Sequence, residues 1–340
     1  MTDHIPVAIV PSPDHRFSGH PESPSRFQLR PSHFDSEIGG RLEPIKVEAA
    51  EIAAVTRVHP LSYLDHLRTA AASAPALLDG GDTYACAGSY DAAFRAAGAA
   101  LEVTEQVIVG GHALGIALAR PPGHHATAER ALGFCLLNNV AIAARSALDA
   151  GLERVMIVDF DVHHGNGTQD LFENESRVAY ISFHQRGIFP GTGHLHERGH
   201  GLAEGTLMNV PLPAGTGHSG YLDLFRKVIP AAARTFHPDL ALVSAGYDGH
   251  WRDPLAGLRL TSKTYYEIGR ILAEAAAQVG FPIAYILEGG YNPEALYSGI
   301  LATLAGSLGL PDPPDRLGQP DGLETDVDPV WIALKGHPLI

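Results

Sequence analysis

Apolar residues in this chain come in short blocks rich in Val, Ile, Leu and Ala, and five of those blocks break off into polar residues able to do chemistry. Ala113–Ala119 leads into Arg120-Pro121-Pro122-Gly123-His124-His125. Val155–Val158 leads into Asp159-Phe160-Asp161-Val162-His163-His164-Gly165-Asn166-Gly167. Ala179–Ile181 leads into Ser182-Phe183-His184, Leu240–Val243 into Ser244-Ala245-Gly246-Tyr247-Asp248, and Ile283–Leu287 into Glu288-Gly289-Gly290-Tyr291. Such runs, separated by helix-like stretches, read as buried parallel strands of an α/β fold. In open α/β sheets the ligand crevice lies beyond the carboxyl ends of the strands. Five polar bursts at five such ends therefore predict one site.

The rest of the pattern fills in around these strands. Ile5–Val10 reads as a first strand, followed by a long polar loop from Pro11 to Pro31 that contains His20-Pro21-Glu22-Ser23-Pro24-Ser25-Arg26. Loops of that length are often functional. Helical patterns cover Val55–Ala72, Ser89–Val109, Asn138–Ala150, Tyr221–Thr235, Ser262–Val279 and Asn292–Gly306, with Ser89 and Asp91 as caps and Gly110-Gly111 and Gly151 as stops. A short strand is expected at Leu207–Val210, inside a Gly- and His-rich stretch. With no linker, repeat or charge block, residues 1–340 read as one domain. Its core spans about 5–308, and 309–340 form a Pro- and Asp-rich extension whose last residues, Pro329–Ile340, turn apolar and pack back.

Composition narrows the function. A net charge of −14 argues against a nucleic-acid surface and is compatible with a cationic substrate. Two cysteines, Cys86 and Cys135, exclude a disulfide scaffold and suit a reducing compartment. The start lacks a signal-peptide pattern and no run is long enough to span a bilayer, so the expectation is a cytoplasmic protein. Nineteen histidines against 24 Lys and Arg point to metal or acid–base chemistry.

Alternate residues of a strand share a face, so Asp159, Asp161 and His163 align if the strand persists that far. A catalytic zinc site wants three protein ligands and an open position. Asp161 and His163 supply two, and Asp248 at another strand end could supply the third. Asp159 sits deeper and better serves as a hydrogen-bond acceptor or a ligand for a monovalent cation. An isolated Asp-x-His is more often a helix cap and a satisfied loop histidine; the four companion motifs argue otherwise. The oxygen-rich set does not by itself choose zinc over Fe(II), Co(II) or Mn(II). Pairing of His124 with Asp159 and His125 with Asn166 would separate the two rings. The first would stay nearer imidazolium, and the second would be free to take a proton. Tyr291, behind two glycines, could reach a developing oxyanion, or be a packed aromatic at a helix start.

These motifs, with Gly133-Phe134-Cys135, Asn138-Asn139 and Phe189-Pro190-Gly191-Thr192-Gly193, resemble the zinc-dependent histone deacetylase and acetylpolyamine amidohydrolase family, in family order from about His20 to Gly306. The resemblance implies an arginase-like sheet of eight parallel strands between helices. It implies hydrolysis of an acetamide on a lysine or polyamine side chain, with Asp161, His163 and Asp248 on zinc. His124 and His125 match the tandem histidines and Tyr291 the transition-state tyrosine. Phe134 and Phe189 match the channel walls, with Gly133 beside them. Asp159, Ser182 and Phe183, with carbonyls of Asp161 and His163, match a potassium site; a second cation is implied near Phe172 and Val178. Asn166 stands where class I members carry Asp, and Asn138-Asn139 and Thr83-Tyr84-Ala85-Cys86 look like the class II, bacterial branch. Leu255 occupies a rim position where a polyamine-selective member carries Glu, and Ile188 one where some members carry an aromatic. The expected activity is deacylation of acetyl-lysine. Amidohydrolysis of small acyl amines such as acetylpolyamines is the nearest alternative. A pocket-bearing binding module and a binuclear manganese ureohydrolase are more distant ones. No membrane or nucleic-acid partner is expected; a homo-oligomer is possible on this reading.

Overall fold

Eight strands lie side by side in one sheet, every adjacent pair parallel. The computed structural model describes residues 4–27 and 35–340. In chain order the strands are β1 (Ile5–Val10), β2 (Leu42–Pro44), the short pair β3 (Ala76–Leu77) and β4 (Tyr84–Ala85), β5 (Leu114–Ala119), β6 (Val155–Asp159), β7 (Val178–Gln185), β8 (Leu207–Leu212), β9 (Leu240–Ala245) and β10 (Ile283–Leu287). The main sheet runs β2-β1-β5-β10-β9-β6-β7-β8, and β3 with β4 forms a separate antiparallel pair. This is the eight-stranded parallel α/β architecture that the resemblance implies.

The helices are α1 (Ile52–Val55), α2 (Leu61–Ala72), α3 (Ser89–Ile108), α4 (Asn139–Asp149), α5 (Asn166–Phe172), α6 (His218–Phe236), α7 (Ser262–Val279), α8 (Pro293–Ser307) and α9 (Asp328–Leu334). They cover both faces, which is why the strands are apolar throughout rather than alternating. Alternate side chains still go to opposite cores. Met156 and Val158 join the core that holds Phe225 and Ile268, while Val155 and Ile157 join the one that holds Val103 and Ile142.

Local chemistry sets the boundaries. Thr261 and Thr264 form a reciprocal capping box, and Gly280 at φ 98° closes α7, so its predicted limits hold. The predicted helix Val55–Ala72 is instead two pieces, because Pro60 lacks the N–H that a continuous helix needs. Ser89 is not a cap but the first helical residue; its hydroxyl accepts the Cys86 N–H and meets His15 Nδ1 at 2.8 Å. β6 ends at Asp159, so Asp161 and His163 belong to a loop rather than an extended strand. Strands β2, β3 and β4 and helix α5 were too short for periodicity to reveal. The loop from Pro11 is described up to Phe27, with a 3-10 turn at Pro24–Arg26; its remainder to Pro31 lies outside the described residues.

The C-terminal extension returns to the body. α9 packs beside β8, and Val327, Val330, Leu334 and Leu339 are buried in the main core. Among the described residues no helix is long and apolar enough to cross a membrane.

Because all strands of the main sheet point the same way, their carboxyl ends share one edge. Asp159 pairs level with Ser182 on β7 and with Ser244 on β9, and Leu287 pairs level with Ala245. The polar loops thus begin at nearly the same height.

Candidate active site

The loops after β6 and β9 bring Asp161, His163 and Asp248 together, with one donor atom from each inside a 4.8 Å span. His163 Nδ1 lies 3.2 Å from Asp161 Oδ1 and 3.1 Å from Asp248 Oδ2. The other carboxylate oxygens are held by main chain. Asp161 Oδ2 accepts the Gly289 N–H at 2.8 Å, and Asp248 Oδ1 accepts the Val162 N–H at 3.0 Å. The approach is so close that a Cβ on Gly289 would collide with both carboxylates, and one on Gly246 would collide with Asp161. Burial works against a charged His163, yet the two acids raise it to about 10. Positive charge is therefore strongly favoured at this point. Two carboxylates and an imidazole nitrogen converging there fit a divalent ion with an open position.

The two histidines beside this cluster have different partners. His124 Nδ1 donates to Asp159 Oδ2 at 2.9 Å, and Tyr180 donates to the same oxygen at 3.0 Å. Burial opposes charge on His124, but Asp159 and Asp161 outweigh it and raise the ring to about 10. His125 Nδ1 lies 2.8 Å from Asn166 Oδ1. The Asn166 amide nitrogen faces the His125 carbonyl at 3.4 Å, which fixes the amide's direction. A carbonyl oxygen only accepts, so His125 carries its proton on Nδ1 and offers Nε2 as an acceptor. Burial, then the positive charges of His124 and His163, hold His125 well below its ordinary value. The ring centroids are 4.0 Å apart, so the two states coexist side by side.

Aromatic rings flank the cluster. Phe189, 44% exposed, meets His125 edge-on at 5.0 Å and His163 at 6.4 Å. Phe134 meets Tyr291 edge-on at 5.6 Å and His20 at 4.6 Å. Gly133 sits at φ 54°, and a Cβ there would strike His125 and Phe189. Phe134 itself adopts φ 69°, a costly conformation for a bulky residue and one that clusters at functional sites. Leu255 is partly buried, its N–H held by Asp253 Oδ1 at 3.1 Å. Burial raises the Tyr291 hydroxyl well above its ordinary value, so it remains a proton donor at neutral pH. Ser182 lies level with Asp159, its hydroxyl paired with His184 Nδ1 at 2.9 Å; Phe183 is buried in the core. Near Phe172 and Val178 the Arg145 guanidinium stands 4.8 Å over the Phe172 ring and brings a positive charge of its own.

Four positioning groups escaped the sequence reading as individuals. Glu288 accepts the N–H groups of Gly123 at 2.7 Å and His124 at 3.1 Å, and Ser244 donates to its other oxygen at 2.9 Å. Tyr180 braces Asp159. Arg26 lies over the Tyr291 ring at 4.7 Å, donates to the Gly290 carbonyl at 2.7 Å and bonds the Glu288 carbonyl. Asp253 holds the main chain of Tyr291. Glu288 and Arg26 lie inside motifs that sequence singled out, but Gly123 and Gly290, which they hold, lie 165 and 264 residues away.

Comparison with known proteins identifies the family. The profile of the histone deacetylase domain matches residues 20–307. The chain belongs to the histone deacetylase family. A rice protein (Oryza sativa subsp. japonica) named Histone deacetylase 10, chloroplastic, is 39% identical over 339 residues, which cover 93% of this chain and 76% of the relative. A probable deacetylase of Archaeoglobus fulgidus is 39% identical over 298 residues, covering 84% of this chain and 82% of its own. A histone deacetylase-like amidohydrolase of Pseudomonas aeruginosa is 35% identical over 279 residues, covering 81% and 73%. The crystal structure of the HDA15 HD domain superposes with a TM-score of 0.81 at 34% identity, covering 89% of this chain and 90% of that one. As a histone deacetylase family member the chain is a hydrolase of the deacetylase type.

Proposed function

We propose that this deacetylase removes acetyl groups from acetyl-lysine side chains, with zinc held by Asp161, His163 and Asp248. The observation that carries the reading is the convergence of these three donors beside two histidines, one held by a carboxylate and the other by an amide oxygen. A divalent ion bound there supplies Lewis-acid polarisation of the acyl carbonyl and of water. His125 Nε2 takes the proton of the attacking water and returns it to the leaving amine nitrogen. His124, kept as an imidazolium by Asp159, stabilises negative charge developing at the carbonyl oxygen. The Tyr291 hydroxyl donates a hydrogen bond to the same oxygen. Phe134 and Phe189, with Leu255 further out, would line the path of a neutral acyl-amine arm.

Leu255 supports acetyl-lysine over acetylpolyamines, because a leucine at this position offers no carboxylate to a polyamine's second cation. Potassium at Asp159, Ser182 and Phe183, a cation near Phe172 and Val178, and the class II assignment rest on the resemblance. A chain with two cysteines suits a reducing setting, and the cytoplasm is the compartment we propose. The test is hydrolysis of acetyl-lysine peptides, longer acyl-lysines and acetylpolyamines by protein loaded in turn with Zn(II), Fe(II) and Co(II). Acetyl-lysine peptides should give the highest kcat/KM. A preference for acetylpolyamines would overturn the substrate assignment, and no turnover with any ion would overturn the mechanism.

A further inference from the structure

Tyr291 follows Gly289-Gly290, and Gly290 sits at φ 119°. Two glycines leave the chain free to carry the tyrosine to several positions. An oxyanion donor works only at about 2.7–3.1 Å from where charge develops, so the backbone beyond this hinge has to be fixed. Asp253 is the group placed to fix it. Its Oδ2 accepts the N–H of Tyr291 at 2.6 Å and that of Asn292 at 3.1 Å. Its Oδ1 accepts the N–H of Leu255 at 3.1 Å. The side chain is buried and lies on the loop after β9, which also carries Asp248. A second tie joins the same two loops, with Asn292 Nδ2 donating to the Arg252 carbonyl at 3.2 Å.

We infer that Asp253 is a positioning residue that pins the Tyr291 main chain to the loop carrying Asp248, so that tyrosine hydroxyl and metal-holding carboxylate meet the same acyl carbonyl. The inference rests on Tyr291 being the oxyanion donor. A carboxylate is suited to this task because it offers two acceptor oxygens and no donor. An asparagine has one acceptor oxygen, and its NH2 would face a main-chain N–H. The same carboxylate holds Leu255, so the rim and the tyrosine are set by one side chain.

Asp253→Asn should lower kcat on an acetyl-lysine peptide by about tenfold or more, since small displacements of a reacting group cost up to about 10²-fold. KM should stay within about twofold and bound metal should stay at the wild-type level. The decisive readout is coupling. In a Tyr291→Phe background, Asp253→Asn should lower kcat by less than about twofold, because the group it positions is gone. An equal loss in both backgrounds would show a general structural role and overturn the inference. So would native kcat in Asp253→Asn while Tyr291→Phe is impaired, which leaves the tyrosine's role intact. Near-native kcat in Tyr291→Phe would overturn that role and the inference together. Should Asp253→Asn not fold, Asp253→Ala decides the question, because it removes the acceptors for Tyr291, Asn292 and Leu255 without setting an NH2 against a main-chain N–H. It should lower kcat with the same dependence on Tyr291, and unchanged kcat overturns the inference.

Discussion

At His125, a carbonyl oxygen rather than a carboxylate faces Nδ1, and the consequence is measurable. Asn166 Oδ1 orients the ring without stabilising its charged form, while burial and the neighbouring cations disfavour that form. A base of this kind is neutral through the physiological range, and activity is lost only as acid drives the pH down through its lowered value. Asn166→Asp adds a negative charge that favours imidazolium. The acidic limb of the kcat/KM profile should then move to higher pH; an unmoved limb would show that another group is the base. His125→Ala should lose about 10²–10⁴-fold in turnover as a general base. Tyr291→Phe should lose about 10²–10³-fold as an oxyanion donor. Both should keep their bound metal. His124 is the complementary case. Asp159 favours its charged form, so His124→Ala should slow turnover by removing positive charge rather than a base.

Among the elements, the strands set the height of the site and the loops at their carboxyl ends build it. The loops after β5, β6, β9 and β10 approach so closely that glycine is required where they touch. Gly289→Ala should therefore displace Asp161 and Asp248 and strip bound metal, which elemental analysis would show. The described part of the loop after β1, up to Phe27, is anchored by charge instead. Buried Glu22 pairs with Arg26 at 2.5 Å and with Arg120 at 2.7 Å. Burial works to raise this carboxyl, and the two guanidinium groups more than reverse it, so it lies below its ordinary 4.5. A depressed carboxylate contributes stability above the unfolded value, and that stability is lost as pH falls through the folded one. Thermal unfolding should show the wild type weakening below about pH 4.5. Glu22→Gln should be less stable by about 3–5 kcal/mol at neutral pH, because it leaves two buried cations without their partner, and its acid dependence should be shallower. Equal melting of variant and wild type at neutral pH would remove this cluster from the stability of the fold.

Across the whole molecule, one edge of the sheet carries the candidate chemistry and a distant segment supports the body. Val327, Val330, Leu334 and Leu339 are buried in the main core although they follow a Pro- and Asp-rich stretch. Burying a side chain of this size contributes about 1.5–3 kcal/mol, a large part of a domain's margin. Removal of residues 326–340 should therefore lower the melting temperature sharply, and an unchanged melt would make this segment dispensable. A linear hydroxamate has the donor pair to chelate an ion at Asp161, His163 and Asp248 and a linker to lie between Phe134 and Phe189. It should inhibit acetyl-lysine hydrolysis well below millimolar concentration, and full activity at millimolar hydroxamate would contradict the proposed arrangement.

The main strands were legible in the order of residues, because buried parallel strands are apolar throughout, and β1 and β10 fall at their expected limits. The gathering of polar loops at one edge was legible too, because parallel strands must end on the same side. Helix α7 could be read to the residue, because its capping box and terminal glycine are local signals. How the donors meet was decided by the fold. β6 stops at Asp159, so Asp161 and His163 converge with Asp248 through loop geometry and main-chain hydrogen bonds rather than through a shared strand face. The fold also decided which groups Glu288, Arg26, Tyr180 and Asp253 hold. Each acts on a partner supplied by another strand or loop, and burial gives such contacts their strength, whereas sequence periodicity reports only which face a residue occupies.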